Sequence, residues 1–565
     1  MFVGRSQVNK MDPCSILIKK LFIKITLFSV LLIPSITLAD NIKYWVFFTG
    51  KNEGQTASIS DKALSRRSLR ADIKGLTELD INPDQNYIES LKVAGLKVHR
   101  ISRWLNAASV SGNSESIEKV REFQFVKKIQ PVAAYRRDRI IAEEPINDLQ
   151  IEPFLQKPTA FSYGPSLVQL HLCQIDSLHS LGFSGQGVLI GVMDTGFKLD
   201  HPAIAEILSS GRLIAAHDFI NDDDNVQDTA NIQQDHGTAV WSVIGAFNED
   251  TLIGSAFGAD FLLAKTEIKT DEIMAEEDNW IAAAEWMDSL GADIISSSLG
   301  YIDWYDRSDL DGNTCAITIA ADIAASLGIA VVNSAGNERD NYWDAVIPPA
   351  DGNQVIAAGG ITSAGTLWGG SSPGPTADGR IKPDVAAMAQ YVRAANYLAN
   401  GYYSYTGTSF AAPIISGGLA LIMEAHPDWD LSTIIHSLRQ TASNSALPNN
   451  DLGWGIARFY NMYSGEIPMP EGKRFFVAPN PAYYSVIFQF DPPLTSAGEI
   501  SIFTVSGDKI VALNTSSQTD PDSDGLTRFL WNAEYKSGQK IASGIYIACL
   551  QTISESHTIK FAFVN

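Results

Sequence analysis

Val188-Leu189-Ile190-Gly191-Val192-Met193-Asp194-Thr195-Gly196 runs six apolar or small residues straight into a carboxylate, a hydroxyl and a glycine. An apolar run of this length without alternation is what a strand covered on both faces requires, and parallel sheets are built of such strands. Outward from it the rhythm repeats. A helical stretch lies within 273–290, an apolar strand at 292–297, a second helix at 316–327 and a further strand at 329–332. From about Gly164 to Tyr463 the chain therefore reads as α/β, a mostly parallel sheet with helices on both faces. Reactive groups in such folds gather at the carboxyl ends of the strands.

Three polar residues stand where that rule points. Asp194 ends the quoted run. His236, in Asp235-His236-Gly237-Thr238, directly precedes a helix-like stretch. Ser409, in Gly407-Thr408-Ser409-Phe410-Ala411-Ala412-Pro413, precedes another stretch rich in small residues. A carboxylate, an imidazole and a hydroxyl are the set that nucleophilic hydrolysis needs, here in the order Asp, His, Ser. Each alone has an ordinary structural explanation, as a strand-end turn or a helix cap. A rival nucleophile, Ser372 in Gly370-Ser371-Ser372-Pro373-Gly374, fits the Gly-x-Ser-x-Gly pattern, but that pattern needs a helix directly after the serine. Pro373, Gly374 and Pro375 argue against one.

Taken together, Gly191–Gly196, His236-Gly237-Thr238, Ser298-Leu299-Gly300, Asn333-Ser334-Ala335-Gly336-Asn337-Glu338 and Gly407–Pro413 resemble the subtilisin-like serine proteases, the subtilases, over about three hundred residues. The resemblance implies a three-layer subtilisin-like fold. It implies Ser409 as nucleophile, His236 as general base then acid, and Asp194 as the group that orients the imidazolium. Asn337 and the Ser409 N–H would hold the oxyanion. Ser298, Leu299 and Gly300, with Ser334, Ala335 and Gly336, would pair as strand edges with the substrate backbone. Phe410 stands where many members carry Met, and Ile414 where a non-catalytic His is common.

The first 39 residues read as an export signal: Lys19, Lys20 and Lys24, an apolar run from Ile25 to Ile33, then Thr37-Leu38-Ala39 before the cut. Residues 40–140 read as β-α-β-β-α-β, a ferredoxin-like order: strands at 42–48, 97–101, 107–110 and 125–132, with helices opening at Asp84 and Ser114. This segment resembles the inhibitory pro-domains of the same family, removed near Arg137 or in the polar linker 141–163. Charge supports docking. Residues 40–140 carry a net +6, while the chain from Ile141 carries −32 within a total of −22. Opposite fields of this kind favour association.

From residue 473 to 565 about seven short strands punctuated by Gly and Pro read as a small β-sandwich. The segment resembles the sorting domains of type IX secretion substrates and related immunoglobulin-like modules, through Ala478-Pro479-Asn480-Pro481-Ala482, Ile502–Gly507 and Ala542–Tyr546. Secretion machinery is the partner this implies.

Composition excludes several classes. A net charge of −22 disfavours nucleic acid, and no stretch after the signal reaches membrane-spanning length. The four cysteines form no C-x-x-C pair, though a Cys173–Cys315 bridge is compatible with the sequence. The catalytic set requires no cofactor. Acidic turns at Asn221–Asp224 and Asp520–Gly525 are weak candidates for structural calcium. The expected protein is thus a secreted or cell-surface serine endopeptidase, made as an inhibited precursor and acting on proteins or peptides. Its alternative is a catalytically silent surface binding protein on the same fold.

Overall fold

The structure is a computed structural model. It describes residues 42–133, 161–227, 234–267, 277–302, 304–398 and 400–465, and further on 475–477, 482–483, 485–490, 498–515, 527–535, 538–552 and 556–564. The export signal, the basic run 135–139, the linker up to residue 160, the 478–481 motif and the acidic turn 520–525 lie outside the described residues.

A seven-stranded sheet organises the body. Its spatial order is Val385–Met388, Ile356–Ile361, Ala330–Ser334, Ile294–Ser297, Leu189–Asp194, Asp260–Lys265 and Leu213–Asp218. Every neighbouring pair is parallel. Successive side chains on a strand face opposite sides, so each apolar strand feeds two cores. Ile190, Val192, Ile294 and Val332 pack with Trp241 and Phe410, on the side of the Gln234–Gly245 and Thr408–Ala425 helices. Leu189, Met193, Ile295 and Val331 pack with Trp280, Met287 and Ala320, from the Glu277–Leu290 and Ala316–Ser326 helices. Three layers result. The Thr408–Ala425 helix is the one helix among the described residues apolar and long enough to cross a membrane, and it is buried in this core. Cys173 and Cys315 are both free, and they lie in the two different cores, on opposite faces of the sheet. The bridge that the sequence left open is therefore not formed.

The N-terminal segment is a four-stranded antiparallel sheet in the order Lys97–Ser102, Ala107–Ser111, Lys43–Phe48 and Val126–Pro131. Asp84 caps the Gln85–Val93 helix and Asn113 caps Ser114–Arg121. Ile88, Leu91, Ile117 and Val120 face the core, whereas Val93, at the end of the first of these helices, is exposed. The sequence reading missed the Asp61–Arg70 helix, inserted after the first strand. Its buried face is arginine, so no apolar period announces it.

This segment sits on the Glu277–Leu290 helix. Asp288 receives Arg66 Nη2 at 2.5 Å, Arg67 Nη2 at 2.7 Å and Arg103 Nη2 at 2.7 Å. Arg67 also makes a two-point contact with Asp80, both bonds 2.8 Å. Glu285 accepts from Ser102 Oγ at 2.6 Å and from the N–H groups of Arg103 and Trp104, each at 3.2 Å. Asp278 takes Lys43 at 3.2 Å and Ser109 Oγ at 2.6 Å. Glu277 accepts from Trp45 Nε1 at 3.0 Å and the Ala133 N–H at 3.1 Å. Burial pushes Glu277 up to about 7, with those hydrogen bonds opposing the shift. The predicted charge complementarity thus takes the form of buried, multiply bonded pairs.

The C-terminal segment has a three-stranded and a five-stranded sheet. Phe475, Phe488 and Phe490 of the first share one core with Ile500, Ile502, Leu550, Phe561 and Phe563 of the second.

Candidate active site

Asp194 closes its strand at the carboxyl edge of the sheet, beside the point where the chain crosses from one half of the sheet to the other. The His236 helix comes close enough to reach it because residue 237 is glycine. A Cβ there would lie 2.2 Å from the Gly196 carbonyl oxygen and 3.0 Å from the Asp194 Cβ. His236 Nδ1 lies 2.8 Å from both carboxylate oxygens of Asp194, and both residues are buried. Asp194 Oδ1 also accepts from the Thr195 N–H at 2.7 Å and the Thr195 hydroxyl at 3.1 Å. A carboxylate facing Nδ1 fixes the proton there, which leaves the Nε2 lone pair free to act as a base.

Nε2 makes no hydrogen bond among the described residues. Ser409 sits in the first turn of the Thr408–Ala425 helix, and its hydroxyl points to the Ser298 carbonyl oxygen at 3.5 Å. The Ser409–His236 hydrogen bond is therefore not made in this rotamer. Contacts of this kind commonly form only with substrate bound.

Asn337 is exposed and held by its carbonyl. Its Oδ1 accepts from the Thr408 N–H and the Thr408 hydroxyl, each at 2.9 Å. Because a backbone N–H can only donate, the atom facing it must be the oxygen, and the amide Nδ2 is left to donate outward. The Ser409 N–H has no acceptor among the described residues and lies at a helix N-terminus, where the dipole favours negative charge.

Ser298 Oγ donates to the Ser409 carbonyl at 2.7 Å, tying the next segment to the turn that carries Ser409. Leu299 C=O accepts from Asn333 Nδ2 at 2.9 Å, while the Gly300 N–H and C=O have no partner among the described residues. Ser334–Gly336 behaves differently from the expectation of a second pairing edge. The Ala335 N–H donates to Ala358, the Ala335 carbonyl accepts from Ile347, and the Gly336 carbonyl accepts from Ser372. These backbone groups are satisfied internally, so Ser334, Ala335 and Gly336 form a wall and not an edge.

No helix follows Ser372, whose hydroxyl accepts the Glu338 N–H at 2.9 Å. In the Asn221–Asp224 turn, Asp222 pairs with Arg100 at 3.1 Å and Asp224 with His217 at 3.0 Å. Among the described residues no three His, Cys, Asp or Glu side chains converge to hold a metal ion. The sequence reading missed the supporting residues. Thr408 fixes Asn337. Tyr405 reaches Asp235 at 3.2 Å and packs 5.1 Å from Phe410, whose ring stands edge-on to His236 at 5.8 Å. Thr408, Asp235 and Phe410 lay inside quoted motifs and Tyr405 outside them, and nothing in spacing alone assigned any of them its partner.

The subtilase family matches residues 185–455, and the Peptidase S8 propeptide domain of Bacteroidota matches residues 43–144. Subtilisin from Bacillus pumilus is 30% identical over 272 residues, covering 47% of this chain and 88% of that protein. Subtilisin E from Bacillus subtilis is 27% identical over 354 residues, 62% of this chain and 78% of that protein. The halolysin-like extracellular serine protease Nep of Natrialba magadii is 27% identical over 274 residues, 48% of this chain and 47% of that protein. The chain belongs to the subtilase family, as a serine-type endopeptidase made as a precursor with its own propeptide domain.

Proposed function

We propose that this endopeptidase cleaves proteins and peptides through an acyl-enzyme formed on Ser409, with His236 as base then acid and Asp194 holding the imidazole. The observation that carries the reading is the pair of 2.8 Å contacts from His236 Nδ1 to Asp194, with Ser409 presented at a helix N-terminus on the same edge of the sheet. His236 takes the Ser409 proton as Oγ attacks the carbonyl. Asn337 Nδ2 and the Ser409 N–H receive the developing oxyanion, and His236 then protonates the leaving amine. The substrate backbone pairs with Ser298 and Gly300, which share a side by the period of two. The unpaired Gly300 groups support this. The complete triad set and its bonded Asp–His pair favour catalysis over the silent binding alternative. A serine-reactive phosphonate probe tests the reading: one equivalent should label Ser409 and abolish casein cleavage.

Residues 40–140 act as chaperone and inhibitor of the body, removed near Arg137 or in the linker. The strand order 97–102, 107–111, 43–48, 126–131 supports a ferredoxin-like pro-domain. Residues 1–39 export the chain, so the enzyme acts outside the cell or at its surface. Residues 473–565 form a β-sandwich that addresses the type IX secretion machinery. Two sheets sharing one core support the sandwich, and the sequence motifs support the address.

A further inference from the structure

Glu267 lies two residues beyond the Asp260–Lys265 strand, at the same carboxyl edge as Asp194, and it is fully buried. Its Oε1 accepts the Tyr301 hydroxyl, and its Oε2 has no hydrogen-bond partner among the described residues. Burial raises its pKa well above the usual carboxylate range, with interactions from the Tyr301 and Thr266 side chains opposing the rise and the charges of Asp194 and Asp278 adding to it. A half-satisfied buried carboxyl weakens a fold, and a leucine of similar size would remove that penalty. Residues that break a local rule in this way are expected at functional sites.

Tyr301 explains what the carboxyl holds. It directly follows Gly300 and is itself fully buried. Its N–H donates to the Pro348 carbonyl at 3.1 Å. Gly300 is pressed against the same loop: a Cβ there would lie 2.1 Å from Ile347 Cδ1. Ile347 in turn donates its N–H to the Ala335 carbonyl at 3.0 Å. A continuous set of contacts thus runs from Glu267 through Tyr301 to the free backbone groups of Gly300 and on to the wall behind them.

We propose that Glu267 is a positioning residue for the part of the substrate on the acyl side of the scissile bond, acting through the Tyr301 hydroxyl to fix the Gly300 edge. This rests on the reading of Ser298–Gly300 as the substrate edge. Glu267 touches neither the reacting atoms nor Ser409. Its effect belongs to substrates long enough to reach Gly300, and it is absent for those that stop short.

The test compares a peptide amide with four acyl-side residues against an activated ester of a single amino acid. Each is assayed on the mature form of the full precursor, with rates expressed per phosphonate-titrated site so that misfolded protein is not counted. Loss of one positioning hydrogen bond should raise KM for the long peptide about tenfold in Glu267→Leu and Tyr301→Phe, with kcat nearly unchanged. Ester hydrolysis should stay within about twofold of the parent in both variants. Glu267→Gln keeps an acceptor for the Tyr301 hydroxyl and should restore the peptide KM. Equal losses on ester and peptide would mean a general structural role and overturn the proposal. So would an unchanged peptide KM in both variants, or a Gln variant as impaired as Leu. A parent enzyme inactive on both substrates would instead overturn the triad reading on which the edge depends.

Discussion

On one face of the sheet, the Glu277–Leu290 helix meets the propeptide domain through three arginines converging on Asp288, and Glu277, Asp278 and Glu285 of the same helix each find several donors. At the carboxyl edge of the same sheet, Asp194 holds His236 at 2.8 Å, yet His236 Nε2 makes no hydrogen bond, and among the described residues the Ser409 N–H and the Gly300 backbone groups also lack partners. The difference separates two kinds of polar design. The interface gives each carboxylate of that helix several donors, although the Nε atoms of Arg67 and Arg103 stay unpartnered among the described residues, which suits a domain that has to hold to the body. The site leaves selected donors and two acceptors, His236 Nε2 and the Gly300 carbonyl, unsatisfied among the described residues, which suits a surface that completes itself only on substrate.

The comparison breaks most visibly at Ser409. Ser409→Ala should lower turnover on the order of 10⁶-fold, a size borrowed from subtilisin, in a casein or peptide assay on processed enzyme. Asn337→Ala should lower kcat by roughly 10²–10³ with KM nearly constant, again a magnitude borrowed from subtilisin. A loss residing wholly in KM would show that the Nδ2 donor serves ground-state binding instead of the oxyanion.

On the propeptide face, Asp288→Ala removes the carboxylate that three guanidinium groups share and leaves Arg66 with no acidic partner among the described residues, while Arg67 keeps Asp80 and Arg103 keeps Glu285. It should weaken inhibition by a separately made 40–139 propeptide fragment by about 10²–10³, chiefly through faster dissociation. Asp222→Ala, which removes only the exposed partner of Arg100, should change inhibition less than about fivefold. If the two variants behave alike, the buried hub is not what holds the domain.

The mildest effect concerns pH. With the domain in place, burial holds Glu277 at about 7 against the opposing hydrogen bonds of Ala133, Tyr305 and Trp45, and Trp45 and Ala133 belong to the domain that would leave. If removal of the domain uncovers the carboxyl and returns it toward the ordinary glutamate range, the complex binds the extra proton in the interval between. Affinity should therefore fall as pH rises from about 5 to 7, by at most about tenfold per unit, and level off above. Titration calorimetry in buffers of different ionisation enthalpy should register proton uptake on docking. Glu277→Gln should abolish it.

Much of this was legible in the chain. The unbroken apolar strand ending at Asp194 announces a sheet buried on both faces, and the three reactive side chains sit where strands stop and helices start. The Asp61–Arg70 helix was illegible for a physical reason. Arg66, Arg67 and Arg70 are its buried residues along with Ala63, and an arginine face reads as solvent-exposed until its carboxylate partners, more than two hundred residues away in the case of Asp288, are in place. Ser334–Gly336 misled for a related reason. Its motif marks the cleft, but whether a backbone edge is free depends on Ala358, Ile347 and Ser372, which sequence spacing cannot bring together. The charge asymmetry predicted docking but not its form, since a count of charges cannot distinguish steering from a buried ion cluster.

The most direct test of the account is mass spectrometry of the phosphonate adduct, performed in parallel on the intact precursor and on the processed enzyme. The account predicts a single adduct on Ser409 in the processed enzyme, lost in Asp194→Ala and His236→Ala, and slow or absent labelling while the propeptide domain is docked. An adduct on Ser372, or no adduct on a processed enzyme that still cleaves casein, would contradict it.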